Sequence, residues 1–210
     1  MTPIGIDPAI PERTVVVWEA APARRLLVFI HGGGLACGDH GEMGDKARVF
    51  TADGCTVVSL GYRLYPAARH PDFLEDCAAG LAWARRRFPE LPTFLCGMSA
   101  GGWLTAMLAT DARWLAPHGL HPHDLAGAIP VSGQMLTHFA VACERGVPTR
   151  PVTPELPEMV ARRPWADDAA PLHHAGPETP PFLAIAGSDD IPCRPEENAL
   201  MAAALRARGQ

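Results

Sequence analysis

Three short stretches of this chain hold residues that can do chemistry together. Gly97-Met98-Ser99-Ala100-Gly101 reads G-x-S-x-G. A serine hydroxyl is a weak nucleophile unless a sharp strand-to-helix turn exposes it beside a base. Small residues at Gly97 and Gly101 let the backbone make that turn. His31-Gly32-Gly33-Gly34 is a glycine loop of a second kind. Its backbone N–H groups can point at a developing oxyanion without side-chain obstruction. Gly33 and Gly34 are the expected loop donors, with the N–H of Ala100 completing the set. Gly32 is expected to serve the turn, and His31 to fix the glycines by hydrogen bonding. The third stretch, Gly187-Ser188-Asp189-Asp190, ends in an acidic pair that can either orient an imidazole or form a turn before a helix.

Competing chemistries fit less well. The glycine loop lacks G-x-G-x-x-G and the Lys-Ser/Thr pair of a Walker loop, so nucleotide binding is not expected. His118, His121 and His123 form H-x-x-H-x-H. Pro117, Gly119 and Pro122 around them read as a polar surface turn, so neither a metal nor another cofactor is expected.

The elements needed to position these stretches are legible. Leu26 to Ile30 is an unbroken apolar run entering the glycine loop, as suits a strand covered on both faces. Further strands are expected at Val15 to Trp18, Cys55 to Leu60, Thr93 to Cys96, Ala128 to Val131 and Phe182 to Ala186. Phe73, Cys77, Leu81, Ala84 and Phe88 recur at helical spacing, with Asp72 placed to cap the helix and Pro89 to stop it. Leu104, Met107 and Leu108 mark a helix just past Ser99. Ala199, Leu200 and Ala203 mark the last helix, ended by Gly209. Alternation of this kind predicts an α/β fold with a mostly parallel sheet and helices on both faces. One domain over 1–210 is expected, with an irregular cap-like excursion at about 134–181.

Composition narrows the partners. With 48% hydrophobic residues the chain can bury a core, and a net charge of −5 offers no basic patch for nucleic acid. Arg85-Arg86-Arg87 sits at a helix end, where it complements the dipole. The six cysteines show no C-x-x-C spacing, and Cys55, Cys77 and Cys96 read as small buried hydrophobes. No stretch has signal-peptide or membrane-span character, so a reduced cytoplasmic setting is the expectation.

This organisation resembles the α/β-hydrolase superfamily, in particular its hormone-sensitive-lipase-like esterase branch, with kynurenine formamidase as a neighbour. His31 to Gly34 resembles the branch's oxyanion motif, Gly97 to Gly102 its nucleophile elbow, and Tyr62-Arg63-Leu64 with Pro66 its post-strand turn. Asp76 and Trp83 match its next helix, and Ala170-Pro171-Leu172 the turn before its acid-bearing strand. The resemblance implies a serine hydrolase acting through an acyl-enzyme on small to medium acyl esters, or alternatively on an N-formyl arylamine amide. Its G-x-x-D spacing selects Asp190 as the acid, with Asp189 the runner-up.

The resemblance also implies a histidine after that acid, on a loop beyond a final strand. No histidine follows His174. Three explanations are open: the sequence stops short of that unit, an earlier histidine (His138, His173 or His174) serves, or the protein binds without catalysing. A sheet lacking its last strand exposes an edge and apolar surface. A partner or a second copy of the chain is expected to cover it.

Overall fold

The computed structural model describes residues 2–136, 168–191 and 194–209. The excursion expected at about 134–181 therefore falls largely outside the described residues, as does His138. Six strands form one sheet: β1 (Ile4–Gly5), β2 (Thr14–Trp18), β3 (Arg25–Ile30), β4 (Cys55–Gly61), β5 (Thr93–Met98) and β6 (Gly127–Val131), in the order β1-β2-β4-β3-β5-β6. Strand β2 pairs antiparallel with both β1 and β4, and the β4-β3-β5-β6 pairs are parallel. Every residue of β4 is buried, because this strand lies inside the sheet with side chains packed on both faces.

The helices are α1 (Gly44–Ala52), α2 (Asp72–Arg87), α3 (Ala100–Thr110), the short α4 (Pro171–His174) and α5 (Arg194–Arg206). The even-numbered residues Leu26, Val28 and Ile30 of β3 pack in one core with Phe73, Leu74 and Leu81 of α2 and Trp103 and Leu104 of α3. Leu27 and Phe29 point the other way, into a smaller core with Met43 and Ala47 beside α1. Helices therefore do lie on both faces. A third cluster joins Ala106 of α3 to Met201 and Leu205 of α5 and Ala175.

Three local expectations change. Asp72 does not cap α2; Pro71 holds the cap position, and the Asp72 carboxylate instead accepts the N–H of Arg69 at 2.9 Å, closing the turn before the helix. Helix α1 has no apolar stripe to betray it, since only Ala47 is buried while Val49 and Phe50 face solvent. The strand expected at Phe182 to Ala186 is reduced to two parallel bridges, Ala128 to Phe182 and Val131 to Ile185. Its ladder bonds are nonetheless present: Leu183 N–H donates to Ala128 O at 2.9 Å and Ile185 N–H to Pro130 O at 3.0 Å.

This rung lies at an open side of the sheet. On the face that carries α1, burial is lost progressively beyond β3. Phe94, Cys96, Ile129 and Val131 are half-buried, and Met98, Leu183 and Ile185 are 43%, 57% and 42% exposed. An apolar row at alternate positions of three adjacent strands is a surface of the kind a further element covers.

Candidate active site

Three neighbouring parallel segments end side by side, and each delivers one part of the site. Strand β5 runs into Ser99, which has φ 55° and ψ −116°. A serine held at positive φ costs about 1–3 kcal/mol, sustained only where the surroundings over-determine it. They do so here. Ser99 N–H donates to Val131 O at 2.8 Å, and Ser99 O accepts from Trp103 N–H at 3.0 Å. A Cβ on Gly97 would stand 2.2 Å from Gly101 O, and one on Gly101 would stand 2.1 Å from Ile30 O. Glycine at both positions is therefore a packing requirement, set by helix α3 pressing its first turn onto the end of β3.

The glycine loop closes against this elbow. Gly33 and Gly34 have φ of 100° and 63°. Gly33 O accepts from Ala36 N–H, Cys37 N–H and the Cys37 thiol at 3.1, 3.0 and 3.2 Å, which turns its carbonyl into the loop. Gly32 departs from its expected role. Its φ is not positive; a Cβ there would meet Met98 O at 2.9 Å and the Ser99 Cβ at 3.4 Å. Close approach to the end of β5 at Met98 and Ser99, not the turn, requires that glycine. The first N–H groups of α3, Ala100 among them, have no partner within the helix and sit on this side of the elbow.

His31 anchors the loop from behind. Its Nδ1 lies 2.8 Å from Gly32 O, and because a carbonyl only accepts, Nδ1 carries the ring proton. The ring stacks on Tyr62 with centroids 4.3 Å apart, and the Tyr62 hydroxyl donates to His31 O at 3.1 Å. Burial holds the His31 pKa below the ordinary histidine value, against the opposing pull of Gly32 O, Glu42 and Asp39. Tyr62 is itself fixed through its neighbour. Arg63 binds the fully buried Asp76 carboxylate through Nε and Nη2, both at 2.8 Å, and Arg13 adds a third contact at 2.7 Å. Burial opposes the Asp76 charge, but these two guanidiniums outweigh it and lower its pKa.

Strand β6 ends in Val131-Ser132, and the rung after it leads to Asp190. The Ser132 hydroxyl donates to Asp190 Oδ2 at 2.6 Å, Ile191 N–H to Oδ1 at 2.7 Å, and Gly187 N–H to Oδ2 at 3.4 Å. Burial works against the Asp190 charge; the bonds from Ser132, Ile191 and Gly187, with Arg194 nearby, still hold its pKa below the ordinary aspartate value. Asp189 is exposed and makes no such contact, which favours Asp190 of the two. Asp190 follows the rung that lies two positions from β5 in the sheet, on the side of Ser99 away from the glycine loop.

Among the described residues no imidazole hydrogen-bonds Ser99 or Asp190. His174 does not serve. Its Nε2 lies 2.7 Å from Asp168 O and its Nδ1 3.9 Å from Asp111, the residue closing the far end of α3. Helix α3 has 11 residues, which puts that end about 16 Å from Ser99. His173 is exposed on the same short helix.

Sequence reading missed Ser132 and its supports. Ser132 has φ 54°, and its carbonyl accepts from Arg194, while Asn198 donates to Gly133 O at 2.9 Å and Glu197 accepts from Met135 and Leu136 N–H at 2.8 and 3.0 Å. One buried polar face of α5 therefore holds the loop after β6. The available signal was Ser132-Gly133 directly after an apolar run, the same small-residue strand ending seen at Ile30-His31-Gly32 and at Met98-Ser99.

A family model described as alpha/beta hydrolase fold matches residues 27–210. The chain belongs to this family. Its relatives include esterase LipC of Mycobacterium tuberculosis, 28% identical over an alignment of 226 positions that covers 97% of this chain and 54% of that protein. Versiconal hemiacetal acetate esterase of Aspergillus parasiticus is 33% identical over 108 residues, 45% of this chain and 34% of its own length. Esterase 2 of Thermogutta terrifontis, phosphonylated by sarin, superposes with a TM-score of 0.77 at 21% identity over 100% of this chain and 80% of that one, which shows the shared fold. The chain spans about a third or less of several curated relatives and 41%, 54% and 64% of three that it matches along most of its length. As an α/β hydrolase with esterase and lipase relatives, it is related to enzymes of ester hydrolysis. No helix among the described residues is long and apolar enough to cross a membrane.

Proposed function

We propose that this α/β hydrolase is a serine carboxylesterase acting on small to medium acyl esters. Ser99 Oγ attacks the ester carbonyl, and N–H groups of Gly33, Gly34 and Ala100 hold the oxyanion. The carbonyl then re-forms, the alcohol leaves with a proton, and water hydrolyses the acyl-enzyme. Asp190 orients and charge-stabilises the imidazole that shuttles those protons. No histidine among the described residues supplies that imidazole. The observation carrying the reading is the strained Ser99 at the strand-to-helix turn, with the glycine loop packed on it and a thrice-bonded Asp190 two strands away.

The test is labelling of the chain by a fluorophosphonate, alongside hydrolysis of p-nitrophenyl butyrate. Labelling confined to Ser99 and lost in Ser99→Ala supports the nucleophile. Wild type and Ser99→Ala that react equally slowly would overturn the esterase reading and leave a hydrolase-like binding protein, the alternative favoured by the lack of a described imidazole beside Ser99.

A further inference from the structure

A second cluster of side chains with chemistry of its own lies at the opposite end of the sheet. His121, His123 and Glu178 place one donor atom each within 4.8 Å of one another. His121 Nε2 stands 2.8 Å from Glu178 Oε2, and the two imidazole rings lie with centroids 4.1 Å apart. From this arrangement we infer that His121, His123 and Glu178 form a surface site for a Zn2+-class divalent ion.

The chemistry selects the ion. Two imidazoles and one carboxylate suit zinc and its late first-row neighbours, while Mg2+ and Ca2+ take oxygen ligands. Tetrahedral zinc with ligand bonds near 2.0–2.1 Å sets donor atoms roughly 3.3 Å apart. The His121–Glu178 pair is already inside that spacing, and the mobile ends of His123 and Glu178, both mostly exposed, have little further to move. Water completes the set.

The backbone is arranged for this in advance. Asp124 Oδ2 accepts the His121 N–H at 2.7 Å and closes the turn carrying both histidines. On the other segment, Gly176 N–H donates to Thr179 Oγ1 at 3.1 Å and Thr179 N–H to Gly176 O at 3.0 Å, fixing the turn that presents Glu178. Metal at Nε2 puts the His121 ring proton on Nδ1, which gives up the 3.5 Å contact from His123 N–H, while the direct Nε2–Glu178 contact at 2.8 Å is replaced by two bonds to the shared ion. The sequence pattern H-x-x-H-x-H, read as a polar surface turn with no metal expected, includes His118, which is not in this cluster. Instead the fold brings in Glu178, which no sequence spacing connects to the histidines.

The site's place predicts its effect. One turn precedes β6 and the other precedes the Phe182 rung, which pair as parallel neighbours. An ion joining the two turns staples the weakly held edge rung to the sheet, at the end remote from Ser99. It stabilises the chain and leaves the ester chemistry alone.

Calorimetric titration of untagged protein with zinc chloride in a non-chelating buffer, with thermal unfolding before and after, tests this. A single saturable site and a raised unfolding midpoint are expected, with magnesium chloride giving neither. His123→Ala and Glu178→Gln alter exposed side chains, so the variants fold. Each should weaken zinc binding by at least about tenfold and remove the midpoint shift. Absence of saturable binding, or variants that bind as tightly as wild type, overturns the assignment.

Discussion

Gly101→Ala sets two physical effects against each other. Helix propensity alone favours it, because alanine in a helix is better than glycine by about 1 kcal/mol. The surroundings oppose it. The added Cβ would stand 2.1 Å from Ile30 O and 2.5 Å from His31 O, about 1 Å short of ordinary contact. Both obstacles are backbone atoms of the strand and loop that form the site, so no rotamer change relieves the clash. Overpacking of this sort costs about 1–3 kcal/mol, here at the upper end, giving a net loss of about 2 kcal/mol. In a chain of 210 residues that lowers the unfolding midpoint by about 4–8 °C.

Gly80→Ala provides the control, since it shares the propensity gain but meets only the flexible methyl ends of Leu60 at 2.9 and 3.0 Å. It should stay within about 1 kcal/mol of wild type. Urea unfolding of the three proteins reads the difference directly. A retreat of α3 by about 1 Å also carries Ala100 away from the glycine loop, which should slow fluorophosphonate labelling of Ser99 by about 100-fold. Gly101→Ala as stable as Gly80→Ala, with labelling unchanged, would refute the packing argument.

Two further outcomes follow from the same contacts. Ser132→Ala removes a hydrogen bond to a carboxylate, worth about 1.5 kcal/mol, so in protein that hydrolyses p-nitrophenyl butyrate it should lower kcat by about tenfold with KM unchanged. The acid limb of its pH profile should move upward, as Asp190 loses a bond that favours its charged form; an unmoved profile would assign Ser132 to folding alone. Stability should fall on acidification in two stages. Burial lowers the pKa of His31 and His70, so the unfolded chain binds protons more readily, and stability is full above an unfolded value of about 6.5 and declines as pH falls below it. Asp76 is likewise lowered, its guanidinium contacts outweighing burial, so its contribution is present above about 3.9 and lost below. Urea midpoints measured from pH 8 to pH 3 check both stages, and a flat response between pH 8 and pH 5 would refute the first.

What sequence reading achieved divides along a physical line. Local pattern is enough for strands β3 and β4, because a strand covered on both faces is mostly apolar and β-prone with only small polar residues such as Thr56 and Ser59, and for α2, whose buried stripe repeats at helical spacing. It fails for α1, where Val49 and Phe50 face outward and leave no stripe. It misplaced Gly32 for a related reason: a glycine needed for conformation and one needed for contact look alike until the neighbour is known, and that neighbour, Met98, is far away in sequence.

The sequence by itself determined the G-x-S-x-G turn at Ser99, the glycine loop and the acidic pair, because each is a continuous stretch in which neighbouring residues carry the signal. Only the tertiary structure decided which partners meet. Ser132 reaching Asp190, Arg63 and Arg13 converging on Asp76, His174 tied to the far end of α3, and Glu178 beside His121 all depend on strand order and register. Parallel strands bring side by side segments that crossover connections keep apart in sequence, and no local pattern encodes that distance.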